Sequence, residues 1–235
     1  MVLSKLQSSP KGDSFENPYK KMMIEGAARL KEKLNSPEKK QEIYYNSLTF
    51  ANESIPVENH KVKSKLTKYL AKFSFKKIGS HDMHARAEKY LPKIEKILKS
   101  YGIPEDFKYL PVVESGLDPS VSSHKGAGGY WQFMPSTARL YGLRVDHKVD
   151  ERKNFVKSTH AAARYLKDLY NQFGDWTLVA AAYNIGEGSL RAAMRNQGKK
   201  SYYHLKLNEE TASYVYKIIS VKEVLEKPHL YGYSI

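Results

Sequence analysis

Cysteine is absent from all 235 residues, which excludes a disulfide framework and any thiolate metal site and fits an oxidising compartment. Long apolar runs are absent too. None approaches the roughly 20 residues that a membrane helix needs. The opening Met1-Val-Leu-Ser-Lys-Leu-Gln-Ser-Ser9 lacks the apolar h-region of a signal peptide, so the expectation is a protein that is not exported or one whose leader has been removed. Acidic residues are scarce: 25 Asp and Glu face 39 Lys and Arg, a formal charge of +14. The first 100 residues hold 21 basic against 11 acidic side chains and the remaining 135 hold 18 against 14. Such an excess attracts nucleic acid, anionic lipid or an anionic wall polymer, but a solvated Lys-rich helical surface explains it more simply. The apolar fraction of 41% is ordinary for a globular protein, and the length suits one substantial core with a helical appendage.

Residues 1–54 read as a basic, partly flexible N-terminal arm with a short helix over 27–34. Ile55-Pro56-Val57 reads as an extended entry, because Pro56 disfavours helix in its predecessor. Helical periodicity dominates beyond it. Tyr90, Leu91, Ile94, Ile97, Leu98 and Tyr101 line one face of a helix that Gly102 and Pro104 end. The next helix is expected over 105–114. Another covers 158–170, with Ala161, Ala162, Tyr165, Leu166 and Leu169 inward and Gly174 as its stop. Asp175 caps a helix over 176–183 that Gly186 ends, and Tyr214, Val215, Ile218, Ile219 and Leu225 mark the last. The fold class is mostly α, with room for a small β-hairpin in the loop 118–129. The predicted division is the arm 1–54, a helical N-terminal extension 55–100 packed on the core, and a catalytic domain 101–235.

Glu114 closes the apolar run Tyr109-Leu-Pro-Val-Val113. A carboxylic acid at the end of a buried segment is where a general acid with a raised pKa is made, because apolar surroundings disfavour its charged form. The glycine-rich Gly126-Ala-Gly-Gly129 lets backbone approach a ligand. Tyr130-Trp-Gln-Phe-Met-Pro135 and Ala182-Tyr183-Asn184 bring the aromatic faces and amides that sugars need. One acid in a polar, aromatic groove points to cleavage of a glycan.

These motifs occur in a telling order. Tyr90-Leu-Pro-Lys-Ile-Glu-Lys-Ile-Leu98, Gly102-Ile-Pro-Glu-Asp-Phe-Lys-Tyr-Leu110 and Glu114-Ser-Gly-Leu-Asp-Pro119 come first. Gly126-Ala-Gly-Gly-Tyr-Trp-Gln-Phe-Met-Pro-Ser-Thr-Ala138 and Tyr141-Gly-Leu143 follow. Ser158-Thr-His-Ala-Ala-Ala-Arg-Tyr-Leu166, Phe173-Gly-Asp-Trp176, Ala182-Tyr-Asn-Ile-Gly-Glu-Gly188 and Glu210-Thr-Ala-Ser-Tyr-Val215 complete the series. From about residue 55 to about 225 the chain resembles the lytic transglycosylases of glycoside hydrolase family 23, of the membrane-bound murein transglycosylase D type. The resemblance implies a lysozyme-like helical domain that cuts the β-1,4 bond between N-acetylmuramic acid and N-acetylglucosamine in peptidoglycan, leaving 1,6-anhydromuramic ends. It implies Glu114 as the single general acid and base, a substrate-assisted exception to the two-carboxylate rule. Ser115 then matches the serine that helps position the acetamido group. Gln132, Phe133 and Met134 match the motif lining the cleft, and Tyr183 and Asn184 match the pair beside the reaction centre. Glu210 and Tyr214 match the motif that closes the groove. No cofactor and no metal are implied; the partner is the glycan strand, nucleic acid is not expected, and the implied location is the periplasm or cell envelope. Tyr130 stands where the family usually has Leu or Ile.

Rival readings are weaker. His81 and His84 at i, i+3 form a ligand pair only if other ligands join them, and surface histidines are the simpler account. Asp146, Asp150 and Glu151 lack calcium-loop spacing and read as a polar turn. The glycine run lacks the Lys-Ser/Thr of a phosphate loop. Trp131, Trp176 and the 18 tyrosines also admit a plain core reading, which suits Trp176 on its amphipathic helix best. Two other functions stand beside the transglycosylase. One is a lysozyme-type hydrolase using Asp118 or Glu210 as a second carboxylate; the other is a non-catalytic glycan-binding protein.

Overall fold

A computed structural model describes residues 35–73 and 82–234. The helix expected over 27–34 and His81 lie outside these residues. The chain divides into two compact units, Met1–Tyr45 and Asn46–Ile235. In the first, most of helix α1 (Pro37–Asn46) is described; the Ser36 hydroxyl oxygen accepts the Lys39 N–H at its start.

The second unit opens with the two-stranded ladder of β1 (Thr49–Phe50) and β2 (Glu53–Ser54), antiparallel, with Thr49 opposite Ser54. Ala51 and Asn52 between the strands have φ of 53° and 66°, as a tight two-residue hairpin requires. The hairpin is bolted down by a buried acid. The Ala51 N–H donates to Asp106 Oδ2 at 2.8 Å, and Asp106 pairs with Lys222 at 2.7 Å. Phe50 is buried with its ring 5.5 Å from that of Phe107. The compact unit thus begins ahead of Ile55.

Helix α2 (His60–Phe73) buries Val62, Leu66, Tyr69 and Leu70. In α3 (Asp82–Ser100) the expected apolar face is present, with Ile94 and Leu98 fully buried, and it extends back to Met83 and Ala87. His84, expected at the surface, is buried with its ring 4.4 Å from that of Tyr233. The single helix expected over 105–114 is broken. A 3₁₀ turn (Glu105–Tyr109) precedes α4 (Leu110–Ser115), whose first turn holds Pro111. Proline lacks an N–H and fixes φ, so it starts a helix rather than continuing one.

Next come α5 (Pro135–Leu140) and α6 (Phe155–Phe173). Asn154 caps α6 by accepting the Lys157 N–H, Ala161, Ala162, Tyr165, Leu166 and Leu169 are buried, and Gly174 ends it at φ 65°. Asp175 accepts the Leu178 N–H at 2.9 Å and caps α7 (Trp176–Ile185), which Gly186 separates from α8 (Glu187–Gln197). Trp176 is half-buried and stacks on Tyr170 at 4.1 Å. The last helix, α9 (Thr211–Glu226), is apolar or small on nearly every side, with Val215, Ile218, Ile219 and Val221 inaccessible. A helix buried all round is the centre of a core; α2, α4 and α7 pack against it. In the loop 118–129 no ladder forms among the described residues. Only isolated bridges occur, Ser122 with Gly128 and Gly128 with Phe133.

Candidate active site

Glu114 lies in the last turn of α4. Leu110, Pro111 and Val112 before it are buried, and Gly116 at φ 61° ends the helix. The short helix therefore carries the carboxyl to the surface of the core and no further. It opens on a cleft of about 650 Å³. Gln132, Phe133, Met134, Tyr183, Asn184 and Glu210 line the same cleft.

Protein encloses the carboxyl on its other sides. That burial pushes Glu114 up to about 7; the hydroxyl of Tyr214 opposes the rise, and the charge of Glu210 adds to it. Tyr214, 100 residues away on α9, donates its phenolic O–H to Glu114 Oε1. Burial holds the phenols of Tyr214 and Tyr183 well above their ordinary values, so both remain neutral donors. At neutral pH the site therefore keeps a substantial share of Glu114 protonated, where an ordinary carboxyl would be ionised, with one oxygen fixed by a phenol.

The glycine loop builds the opposite wall. Gln132 has φ 48°, an unusual conformation for a side chain of its size. Its amide nitrogen donates to the carbonyls of Val121 and Gly129, both at 2.9 Å, which fixes the side chain at the cleft wall. The turn faces Trp131 inward. Trp131 is fully buried, its indole N–H donating to Thr159 Oγ1 at 3.1 Å, and its carbonyl accepts the Tyr183 hydroxyl at 2.7 Å. Trp131 is therefore a core residue and does not offer a sugar its face. Tyr130 is core as well, edge-on to Phe155 at 5.4 Å.

Arg152 clamps the loop from behind. One guanidinium nitrogen donates to the carbonyls of Gly126 (2.7 Å) and Phe133 (2.9 Å), and the others reach Asp150 at 2.9 and 2.8 Å. A Cβ on Gly129 would lie 2.1 Å from the Arg152 carbonyl oxygen, so only glycine fits there. Asp146 accepts the Lys148 and Val149 N–H groups, and Glu151 accepts that of Arg144. The acidic run is a structured polar turn whose Asp150 orients Arg152.

Ser115 does not line the cleft. Its hydroxyl lies behind Glu114, within hydrogen-bond distance of the carbonyls of Tyr130 (2.8 Å) and Pro111 (3.1 Å). Asn184 donates to Glu210 Oε1 at 3.1 Å and accepts the Thr211 hydroxyl at 2.7 Å, which ties α7 to the start of α9. Asp118 is held in its own turn: one oxygen accepts both the N–H and the hydroxyl of Ser120, and these bonds lower its pKa. It is not among the cleft residues. Sequence reasoning passed over Thr137, Tyr165 and Glu187, which do line the cleft; the Tyr165 hydroxyl donates to Glu187 at 3.2 Å. Glu187 stands inside the quoted motif 182–188, where Gly186 at φ 89° turns the chain and was its only signal.

Comparison with known proteins bears on this geometry. The family described as Transglycosylase SLT domain matches residues 92–206. Membrane-bound lytic murein transglycosylase D of Escherichia coli K12 is 37% identical over 180 residues, 74% of this chain and 39% of that protein. The chain therefore spans about two fifths of that relative's length. A protein of Alteromonas sp. strain M-1 named for tributyltin chloride resistance is 32% identical over 148 residues, 61% of this chain and 72% of the relative. Among solved structures, the 70-kDa soluble lytic transglycosylase of Escherichia coli superposes with a TM-score of 0.50 at 20% identity, covering 71% of this chain and 29% of the other; that likeness is one of fold. Residues 92–206 thus belong to the transglycosylase SLT domain family, and the chain is similar to murein transglycosylase D.

Proposed function

We propose that this chain cleaves peptidoglycan as a lytic transglycosylase at the cell envelope, with Glu114 as its only acid and base. One observation carries the reading: an enclosed carboxylic acid with a pKa of about 7, held by Tyr214 on the wall of an open cleft of amides and aromatic rings. A general acid works best with a pKa near the working pH. Glu114 gives its proton to the glycosidic oxygen as the bond to the anomeric carbon breaks, and the substrate's own acetamido group supports that carbon. The resulting carboxylate takes the proton of the muramic 6-hydroxyl, whose oxygen closes on the anomeric carbon. The proton count balances and no water is consumed. The 6-hydroxyl is already attached to the sugar, and a well-oriented intramolecular nucleophile reaches effective molarities of about 10⁵ M or more.

In this reading Gln132, Met134 and Asn184 contact the sugars, and Phe133 and Tyr183 shape the pocket floor. Glu210 fixes Asn184, and Tyr214 fixes the acid. Ser115 acts from behind, holding the Tyr130 carbonyl and with it the loop. The rival hydrolase needs a carboxylate that activates water. Asp118 is bound to Ser120 outside the cleft, so Glu210 is the residue on which that rival depends. Mass spectrometry of digested sacculi decides between them. Anhydro ends, one water lighter than hydrated ends and retained in Glu210→Gln, support the transglycosylase. Hydrated reducing ends lost in Glu210→Gln would establish the hydrolase, and the absence of any cleavage a binding protein.

A further inference from the structure

The cleft does not stop at Met134. Met134 and Thr137 line it together with Glu114, and one turn further on, at the end of α5, Leu140 and Tyr141 open onto a second hollow of about 750 Å³. Spacings of three and four residues put these side chains on one helical face. Helix α6 forms the other side of the same strip: Tyr165 lines the cleft, while Arg164, Lys167 and Asp168 line the hollow. The rings of Tyr141, Tyr165 and Tyr183 run between the two in steps of 5.0 and 5.3 Å. The hollow is therefore a neighbour of the cleft, two ring-to-ring steps from Tyr183 in the cleft wall.

Its chemistry differs from that of the cleft. Arg164 donates to the main-chain carbonyl of Tyr141, and Lys167 reaches that of Tyr101 at 3.4 Å. Among the described residues neither forms an ion pair. The one carboxylate present, Asp168, accepts the Tyr141 hydroxyl at 3.0 Å. Two cations and one carboxylate, a net positive charge, stand beside Leu140, a leucine left 78% exposed. Neutral sugars have no use for that combination. A short peptide with a free carboxylate and an apolar side chain does, because a charge-assisted bond to a carboxylate is about twice as strong as a neutral one.

We infer that the Leu140–Arg164–Lys167 hollow binds the carboxylate-bearing peptide stem of a peptidoglycan strand whose glycan occupies the Glu114 cleft. The inference rests on the proposed function and assigns the hollow as a specificity site of it. The test compares two substrates: sacculus strands with their stems, and the same strands stripped of stems by an amidase. In the double variant Arg164→Lys/Lys167→Gln, which keeps a donor for the Tyr141 carbonyl, the preference in kcat/KM for stem-bearing strands falls about threefold. Arg164→Gln/Lys167→Glu lowers it about tenfold, the size expected when one exposed charged contact is lost and a second is reversed. Loss of the preference through KM, with kcat retained, supports the inference. An unchanged preference, or equal losses on both substrates, overturns it. A second arm titrates the free stem tripeptide into wild type and the charge-reversed variant by calorimetry. If wild type cleaves neither strand, the proposed function fails and this arm decides the hollow alone: binding lost on charge reversal keeps the site, and no binding removes it.

Discussion

Glu114 keeps its proton because folding takes it out of water, and this has a cost that can be measured. The native acid has a pKa of about 7 against an ordinary 4.5. The folded state thus binds more protons than the unfolded chain between those values, and stability falls as pH rises from 4.5 through 7. Glu114→Gln, which has no proton to lose, should lack this slope and be more stable than wild type at pH 8 by up to about 3 kcal/mol. Denaturant unfolding at pH 5 and pH 8 checks it; parallel pH dependence in the two proteins would show that burial does not hold the acid neutral. The same variant should lose activity by at least roughly 100-fold, the lower end of what general acid catalysis supplies. Tyr214→Phe removes the hydroxyl that favours the carboxylate, so Glu114 should titrate higher. The alkaline limb of the kcat/KM profile, where the acid loses its proton, should move to higher pH, and a move to lower pH would contradict the assignment of the donor. The place of Glu114, Gln132 and the Tyr183-Asn184 pair on one cleft was legible because their motifs are local. The inward direction of Trp131 was not, since it depends on the sign of φ at the next residue and an aromatic in a loop reads alike on either side of a wall.

The elements repeat that contrast between local and distant causes. Caps and stops at Asn154, Gly174, Asp175 and Gly186 act on their own helices, and the apolar faces of α3 and α6 follow from spacing. The break at Pro111 was also written locally, and reading 105–114 as one helix overlooked it. The Arg152 clamp carried no such signal: its carbonyl partners lie 26 and 19 residues away, and only the fold brings them together. The glycines of the loop separate the two kinds of constraint. Gly126 has φ 87° and open space where a Cβ would go, whereas Gly129 has φ 76° and the Arg152 carbonyl in the way. Gly126→Ala should cost about 1 kcal/mol for its backbone alone. Gly129→Ala should cost about 3 kcal/mol or more and displace Gln132, lowering activity as well. Equal costs in urea denaturation would mean that the clamp yields freely.

For the whole molecule, helical class and the order of motifs were readable from sequence. The place where the compact unit begins was not, because the hairpin at 49–54 is short and polar apart from Phe50. Its anchor, Asp106 between Ala51 and Lys222, joins three distant parts of the chain. Removing residues 1–54 should therefore destabilise the protein by about 3 kcal/mol or more beyond removal of 1–45, the loss expected for a buried phenylalanine and its surroundings. Thermal unfolding of the two truncations measures the difference, and coincident midpoints would show that the hairpin is dispensable.

The bond between Tyr214 and Glu114 sets a limit on how this domain can be cut and moved. The stretch that matches the transglycosylase SLT domain, residues 92–206, ends before α9 begins. A module excised at residue 206 would keep the acid, the glycine loop and the Tyr183-Asn184 pair. It would lose the phenol that orients the acid and the central helix that shelters it from water, leaving Glu114 an ordinary solvent-facing glutamate that is ionised at neutral pH. On the proposed function, the smallest transferable catalytic unit therefore runs through Glu226, and its C-terminal helix belongs to the acid as much as α4 does.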